Sequence, residues 1–462
     1  MRQSMNAASA VGSGLQAKLK PLLRWAAQAT LGRLPPPASR LSGELAKNGG
    51  RPVRDTRLRP WASVNDRNFL IWHGGLRARL RRVFRTGVEG LPQPLAREFA
   101  RQWATYCGCR YGLLLAHGTD ALRIALAAAL EHDGLDYGGE VIVPNFSFIA
   151  SATAPLDRRC GVVCVDVDRA TLLIDPARVE DAVVPGRTRA IMPVHLFGQP
   201  ADMTGLRAIA DKYGLKIIED AAQAHGAAGA SGPVGSLGDA AGFSFQSSKN
   251  LSCGEGGALT TNDETLFQRA YAMHNAGRAT VDGDRWEHAT LGWNCRVTEY
   301  QAALLLDQFK LFERRQERRR ASFQLLRSLL TETGCLRPLA LHPGVRAHGM
   351  YMFPMRYSPD HCGGLSLDRF LELVQAEGAP IHRAFTLTIA DQPAMQRIAR
   401  RHPQYFRRQA TPVADQAVKE TVYIPQNVFL GDAADMADIV AAVRKVESRC
   451  AQRAKPRAAR AA

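Results

Sequence analysis

Ala241-Gly242-Phe243-Ser244-Phe245-Gln246-Ser247-Ser248-Lys249-Asn250-Leu251 is the stretch on which the fold turns. Its first five residues, AGFSF, have the apolar and aromatic content of a short strand. Lys249 closes that run. Gly254-Glu255-Gly256-Gly257 then makes a tight turn into a second apolar strand, Gly257–Thr261 (GALTT). A lysine after a strand is usually a surface residue. A lysine held between two apolar strands can lose its proton and attack an aldehyde.

Upstream lies Glu219-Asp220-Ala221-Ala222-Gln223-Ala224-His225-Gly226. Asp220 ends the apolar strand Lys216–Asp220 (KIIED). Ligands of α/β sheets gather at such carboxyl ends. A carboxylate there can pair with a protonated pyridine nitrogen, or it can merely cap the next helix. Further upstream, Gly118-Thr119-Asp120-Ala121-Leu122 opens a strongly helical run. Free N–H groups and the positive end of that helix suit a phosphate, although Thr119 or Asp120 could simply cap it.

Around these motifs strands and helices alternate. Val141–Val143, Gly161–Val167, Ala190–Val194, Lys216–Asp220, Ala241–Phe245 and Gly257–Thr261 read as strands. Leu122–Leu130 and Met203–Tyr213 read as helices. This alternation predicts an α/β fold with a largely parallel sheet covered on both faces. Arg82–Gly108 reads as one helix before a turn at Cys107–Gly112. Glu299–Leu330 reads as one long helix between two domains, with Arg314, Arg315, Arg318, Arg319 and Arg320 on a solvated face. Shorter elements from Leu336 to about Arg444 predict a second, smaller domain.

The 462 residues suit two domains, and 46% apolar with 22% charged residues is a globular composition. The net charge of +17 first suggests nucleic acid. Its distribution argues otherwise. Residues 1–60 carry +9 and residues 444–462 carry +6, which leaves the body near neutral. The basicity belongs to two tails, so no nucleic acid is expected. Nine cysteines show no zinc or disulfide framework, which predicts no metal and a cytoplasmic home. No run reaches the length of a membrane span. Leu15–Leu34 is basic and mildly amphipathic, and could lie on a membrane surface. Pro21 and Pro35–Pro37 favour a weakly ordered extension instead.

Together the motifs resemble the DegT/DnrJ/EryC1/StrS family of aminotransferases dependent on pyridoxal 5'-phosphate (PLP). FSFQSSKNLSCGEGG, IIEDAAQAHG, HGTDAL, VIVPNFSFIASATA, PVHLFGQPADM and WNCRVTEYQAA carry the likeness over about residues 43–446. The resemblance implies fold type I, with a large domain built on a mainly parallel mixed sheet between helices and a smaller C-terminal α/β domain. It implies boundaries at 1–42 (extension), 43–320 (large domain), 321–446 (small domain) and 447–462 (tail). Lys249 matches the Schiff-base lysine and Asp220 the acid facing the pyridine nitrogen. Gly118, Thr119 and Ser244 match phosphate contacts. Phe148 matches the aromatic stacked on the ring, and Gln223 a contact near the ring hydroxyl. Asn275 matches an asparagine supplied to a partner's phosphate in a homodimer, although its flanks His274 and Ala276 depart from the family's Arg-Asn-His-Gly.

The implied reaction moves an amino group from glutamate or glutamine to a keto-sugar or keto-cyclitol. Leu45–Pro52, Arg59-Pro60-Trp61, Gln246 and Tyr423–Asn427 resemble the inosose and aminohydroxybenzoate-synthase branch, which favours a cyclitol. One rival is a PLP-dependent sugar dehydratase of the same family, in which histidine replaces the lysine. The other is a non-catalytic scaffold on the same fold, with tails bound to membrane or polyanion.

Overall fold

The computed structural model describes residues 44–57, 59, 61–62, 74–86, 93–279 and 286–454. The extension 1–42, with its surface-helix segment, and residues 455–462 of the tail lie outside the described residues.

Fourteen strands are described. They are β1 (Tyr111–Leu115), β2 (Glu140–Pro144), β3 (Gly161–Val165), β4 (Thr188–Ile191), β5 (Lys216–Asp220), β6 (Ala228–Gly229), β7 (Gly232–Pro233), β8 (Ala240–Ser244), β9 (Gly257–Thr261), β10 (Leu336–Pro338), β11 (Met352–Tyr357), β12 (His382–Arg383), β13 (Phe406–Arg408) and β14 (Thr421–Pro425). Eight of them form one sheet in the order β1-β9-β8-β5-β4-β2-β3-β13. Its pairs are parallel except those that β9 makes with β1 and β8. β2, β3 and β8 are buried along their whole length, as strands covered on both faces must be. A four-stranded antiparallel sheet, β10-β11-β14-β12, makes the smaller α/β part. The expected fold class therefore holds. β13 comes from the C-terminal region yet pairs with β3 in the large sheet.

Three sequence expectations are corrected. The turn expected over Cys107–Gly112 runs into β1, a strand whose apolar run Leu113–Leu115 is too short to show a period. The helix expected over Arg82–Gly108 is two helices, Gly74–Thr86 and Pro94–Tyr106, the second opened by a proline at its first turn. The helix expected over Glu299–Leu330 is also two, Glu299–Phe309 and Phe312–Leu329. No glycine or proline announces that break. Leu311, between the two, stays in the right-handed helical region but off its ideal values (φ −101°, ψ −3°), and Phe309 and Phe312 both pack on Trp103. Trp103 in turn supports Phe243 and Phe245 at the lysine strand.

The expected solvated face of that basic helix is corrected as well. Arg314 and Arg320 are exposed, but Arg315 and Arg319 are buried. Four residues apart, they share one face of the helix, and that face turns inward.

The segment 44–62 packs on the C-terminal elements. Leu45 and Val53 share a core with Phe323, Phe353 and Phe429. The Ala46 and Val53 N–H groups donate to the Glu377 carboxylate (2.7 and 3.1 Å). Lys445 pairs with the same carboxylate at 2.9 Å, with side-chain exposures of 1% for Lys445 and 0% for Glu377. Arg54 and Arg59 reach Asp435 and Asp438, and Arg54 lies over the Trp61 ring.

Removing one member of a buried ion pair leaves the other charge uncompensated, which costs about 3–5 kcal/mol. Glu377→Ala should therefore lower the unfolding free energy by roughly that amount in urea titration. A change under about 1 kcal/mol would show that the pair contributes little to docking the N-terminal segment.

Candidate active site

β1 and β8 are both antiparallel to β9, so they run the same way as β2 and β5. Their carboxyl ends share one edge of the sheet, where Asp220 registers with Gly242. Gly118 and Thr119 follow β1, Phe148 follows β2, Asp220 and Gln223 close and follow β5, and Ser244 and Lys249 close and follow β8. The fold thus gathers seven of the eight expected residues at one place.

The helix Gly118–Leu130 starts against the end of β8. A Cβ on Gly118 would fall 2.8 Å from the Ser244 Cβ, so only glycine allows this approach. The residue before the helix, His117, provides no side-chain cap. Asp120 is engaged by His117 (3.0 Å) and Arg123 (2.9 Å), so the capping alternative fails for it. Thr119 is exposed. The first-turn N–H groups and the Ser244 hydroxyl together make a cradle for an anion.

Asp220 is 5% exposed. Its Oδ2 accepts from Ser151 Oγ at 2.7 Å, and its Oδ1 from the Ala222 N–H at 3.2 Å. Among the described residues it forms no ion pair. Burial raises its pKa above the ordinary carboxylate value. The Ser151 hydroxyl, the Ala222 N–H and the nearby Lys249 charge oppose that rise. A buried carboxylate without a cation suits a cationic partner brought by a ligand. The Asp220 backbone is fixed on both sides, its N–H donating to Pro193 O and its carbonyl accepting from the His195 N–H. His195 Nδ1 accepts from the Ala201 N–H, which leaves Nε2 to donate to the buried Glu219 at 2.9 Å.

Lys249 is half-buried. Its Nζ donates to the Tyr351 hydroxyl at 3.3 Å and lies 4.3 Å from that ring's centroid. The Ser248 hydroxyl also lies within hydrogen-bond distance of the Tyr351 hydroxyl, at 3.1 Å. Phe148 is 61% exposed, an open aromatic face at the sheet edge. Gln223 accepts the Phe197 N–H at 2.8 Å. Phe197 is left-handed (φ +60°), a costly conformation for a residue with a Cβ. Gly198 follows it and lies against the backbone of 349–351, where the Gly349 N–H donates to Gly198 O at 2.7 Å. Gln223 thus steadies the turn that supports Tyr351.

Asn275 is 0% exposed, its Oδ1 accepts from Arg296 at 3.0 Å, and its Nδ2 finds no hydrogen-bond partner among the described residues. Its β-bridge partner Asn294 is exposed instead. Sequence reasoning also missed Ser151 and Tyr351. Ser151 lay within the quoted VIVPNFSFIASATA, one helical turn after Phe148, where its role depends on β2 lying near β5 in the sheet. Tyr351 had no local signal, because only the tertiary fold brings it to Lys249.

One sheet edge thus carries a buried carboxylate with no ion pair among the described residues, a lysine amine, an exposed aromatic ring and the start of a helix. A sequence profile of the DegT/DnrJ/EryC1/StrS aminotransferase family matches residues 76–444, and the chain belongs to that family. It is 37% identical over 424 residues to the putative L-glutamine:3-amino-2,3-dideoxy-scyllo-inosose aminotransferase of Streptoalloteichus tenebrarius, covering 88% of this chain and 98% of that protein. It is 37% identical over 429 residues to the L-glutamine:2-deoxy-scyllo-inosose aminotransferase of the same organism, covering 87% and 97%. Among solved structures, 3-amino-5-hydroxybenzoic acid synthase superposes with a TM-score of 0.72 at 30% identity, covering 82% of this chain and 97% of that one.

Asp220→Asn keeps the shape of the side chain but removes its charge. Transamination should fall by roughly 10²-fold or more, as when another preorganised electrostatic group is removed. The melting temperature of the cofactor-free protein should not fall, because a desolvated charge has gone. Near-native turnover would reduce Asp220 to a strand-end residue.

Proposed function

We propose that this aminotransferase moves the amino group of glutamine to a keto-cyclitol of the inosose type, using PLP held at the Lys249 edge. The observation that carries the reading is Asp220, buried near Lys249 and without an ion pair among the described residues. The residues present fit the cofactor. Asp220 would face its ring nitrogen, and Phe148 its flat face. Gln223 would lie near its ring oxygen. The N–H groups at Gly118–Thr119 and the Ser244 hydroxyl would take its phosphate. Lys249 would hold its aldehyde. When bound, the cofactor supplies an electron sink for the bond cleaved at the amino acid's α-carbon.

The chain's own residues supply the rest. Asp220 stabilises positive charge at the ring nitrogen. Freed from the aldehyde, Lys249 Nζ takes a proton from one carbon and returns it to another. The Tyr351 hydroxyl, 3.3 Å away, keeps that amine aimed. Lys249 weighs against the dehydratase alternative, which replaces it. The intact set Lys249, Asp220 and Ser244 weighs against a scaffold. The names of the inosose aminotransferases support both the glutamine donor and the cyclitol acceptor.

The active assembly in this reading is a homodimer. The exposed Asn294, rather than Asn275, presents a carboxamide to the other chain. Nine buried cysteines suit a reducing cytoplasm. Among the described residues no helix is long and apolar enough to cross a membrane.

Purified protein loaded with PLP is mixed with glutamine, and the bound cofactor is followed spectroscopically. Conversion to the amine form, then amination of 2-deoxy-scyllo-inosose in preference to a nucleotide-linked keto-sugar, is the expected outcome. Amination of the nucleotide sugar alone would contradict the substrate class. Lys249→Ala should abolish turnover while leaving the melting temperature of the cofactor-free protein essentially unchanged. For the assembly, Asn294→Ala should hasten cofactor loss in dialysis. Asn275→Ala should lower the melting temperature instead, because it releases Arg296. The reverse pattern would restore the cofactor role to Asn275.

A further inference from the structure

The helix Phe312–Leu329 carries a buried cation that the site as described does not use. Arg319 is 0% exposed, and among the described residues it forms no ion pair. Its Nε and Nη2 donate to Gln426 Oε1 at 3.0 and 2.5 Å, and its Nη1 donates to Gln316 Oε1 at 2.9 Å. A guanidinium has donors only, so both carboxamides must turn their oxygens toward it and their NH2 groups away. Gln426 Nε2 then donates to the carbonyl of Ser248 at 3.3 Å. Gln316 Nε2 donates to the carbonyls of His225 (3.0 Å) and Gly349 (2.9 Å). Asn250 Nδ2 bonds the same Gly349 carbonyl at 2.6 Å and Gln316 Oε1 at 3.2 Å.

The residues on either side of Lys249 therefore trace back to one cation. Ser248 is held through Gln426, and Asn250 through Gln316. The network also reaches His225, whose Nε2 lies 2.8 Å from the Ser244 carbonyl at the end of the lysine strand. Burial, and secondarily the neighbouring Arg315, lowers Arg319 to about 9, so it remains charged at neutral pH. A buried charge without a counter-ion is costly, and an apolar residue would often serve stability as well.

We propose that Arg319 is a positioning residue for Lys249: by orienting Gln426 and Gln316 it holds the Ser248 carbonyl on one side of the lysine and the Asn250 side chain on the other. This rests on Lys249 being the amine that holds the cofactor. Proton transfer by Lys249 needs one orientation of the amine, and a small misplacement of a reacting group lowers its rate steeply.

Gln426→Glu separates positioning from structural support. The carboxylate gives Arg319 a counter-ion of the same shape, so a merely structural role is preserved. It has no N–H for the Ser248 carbonyl, so the grip on the loop is lost. Three things are measured: melting of the cofactor-free protein, the circular dichroism of bound PLP, and the single-turnover rate and KM with glutamine. The expected result is unchanged melting, altered dichroism, KM within about twofold, and a rate roughly 10- to 100-fold lower. Unchanged dichroism and a rate within about twofold of the parent would overturn the proposal. Should that variant not fold, Arg319→Met/Gln426→Leu removes cation and clamp together, and the same two outcomes decide. Borohydride trapping of PLP on Lys249 in the parent keeps the two claims apart. A parent that is not trapped there sinks the reading of the site, and the proposal with it. A trapped parent with an unaffected variant sinks the proposal alone.

Discussion

Asp220 holds a carboxylate in a place where a carboxylate is costly. Desolvation raises its pKa, and its immediate relief is one serine hydroxyl and one backbone N–H. The structure around it keeps it in that state. Its strand lies between β4 and β8, its backbone is tied to Pro193 and His195, and the preceding residue of the strand, Glu219, is tied to His195 and the backbone at Gly235–Gly238. An acid held this firmly cannot turn toward solvent for relief. In the proposed function it would gain a partner when a ligand brings a cation to the sheet edge, and that constraint would link the fold to the chemistry.

The other site groups are held by equally specific contacts. Gly118 lets a helix begin against Ser244. A left-handed Phe197, steadied by Gln223, carries the turn that supports Tyr351. Arg319, which forms no ion pair among the described residues, binds the two carboxamides that reach the lysine loop. Each of these features opposes a local preference: a glycine opening a helix, positive φ at a phenylalanine, a bare buried cation. Such departures concentrate where a site demands one geometry.

The motifs that were legible in the sequence were short and local. KIIED and GALTT matched β5 and β9 end to end, because each is a short, mostly buried segment that follows a glycine turn. Strand ends followed by Asp220, Gln223, Ser244 and Lys249 placed most of the site, since such ends share an edge in an α/β sheet. What was not legible came from long-range packing. Ser151 meets Asp220 across 69 residues, and Tyr351 meets Lys249 across 102. The run of arginines looked solvated because charge in sequence does not reveal which helix face turns inward. The motif around Asn275 shows the residue and not its burial; the exposed Asn294 lies across the bridge from it.

The central claim is that Asp220 recognises a cationic ring nitrogen. It is tested most directly by comparing PLP with an analogue in which that nitrogen is replaced by C–H. Affinities of both are measured by titration calorimetry for the parent and for Asp220→Asn, which makes a cycle that isolates the pairwise interaction. The parent should prefer PLP by roughly tenfold or more, and Asp220→Asn should lose this preference. Equal preference in parent and variant would contradict it.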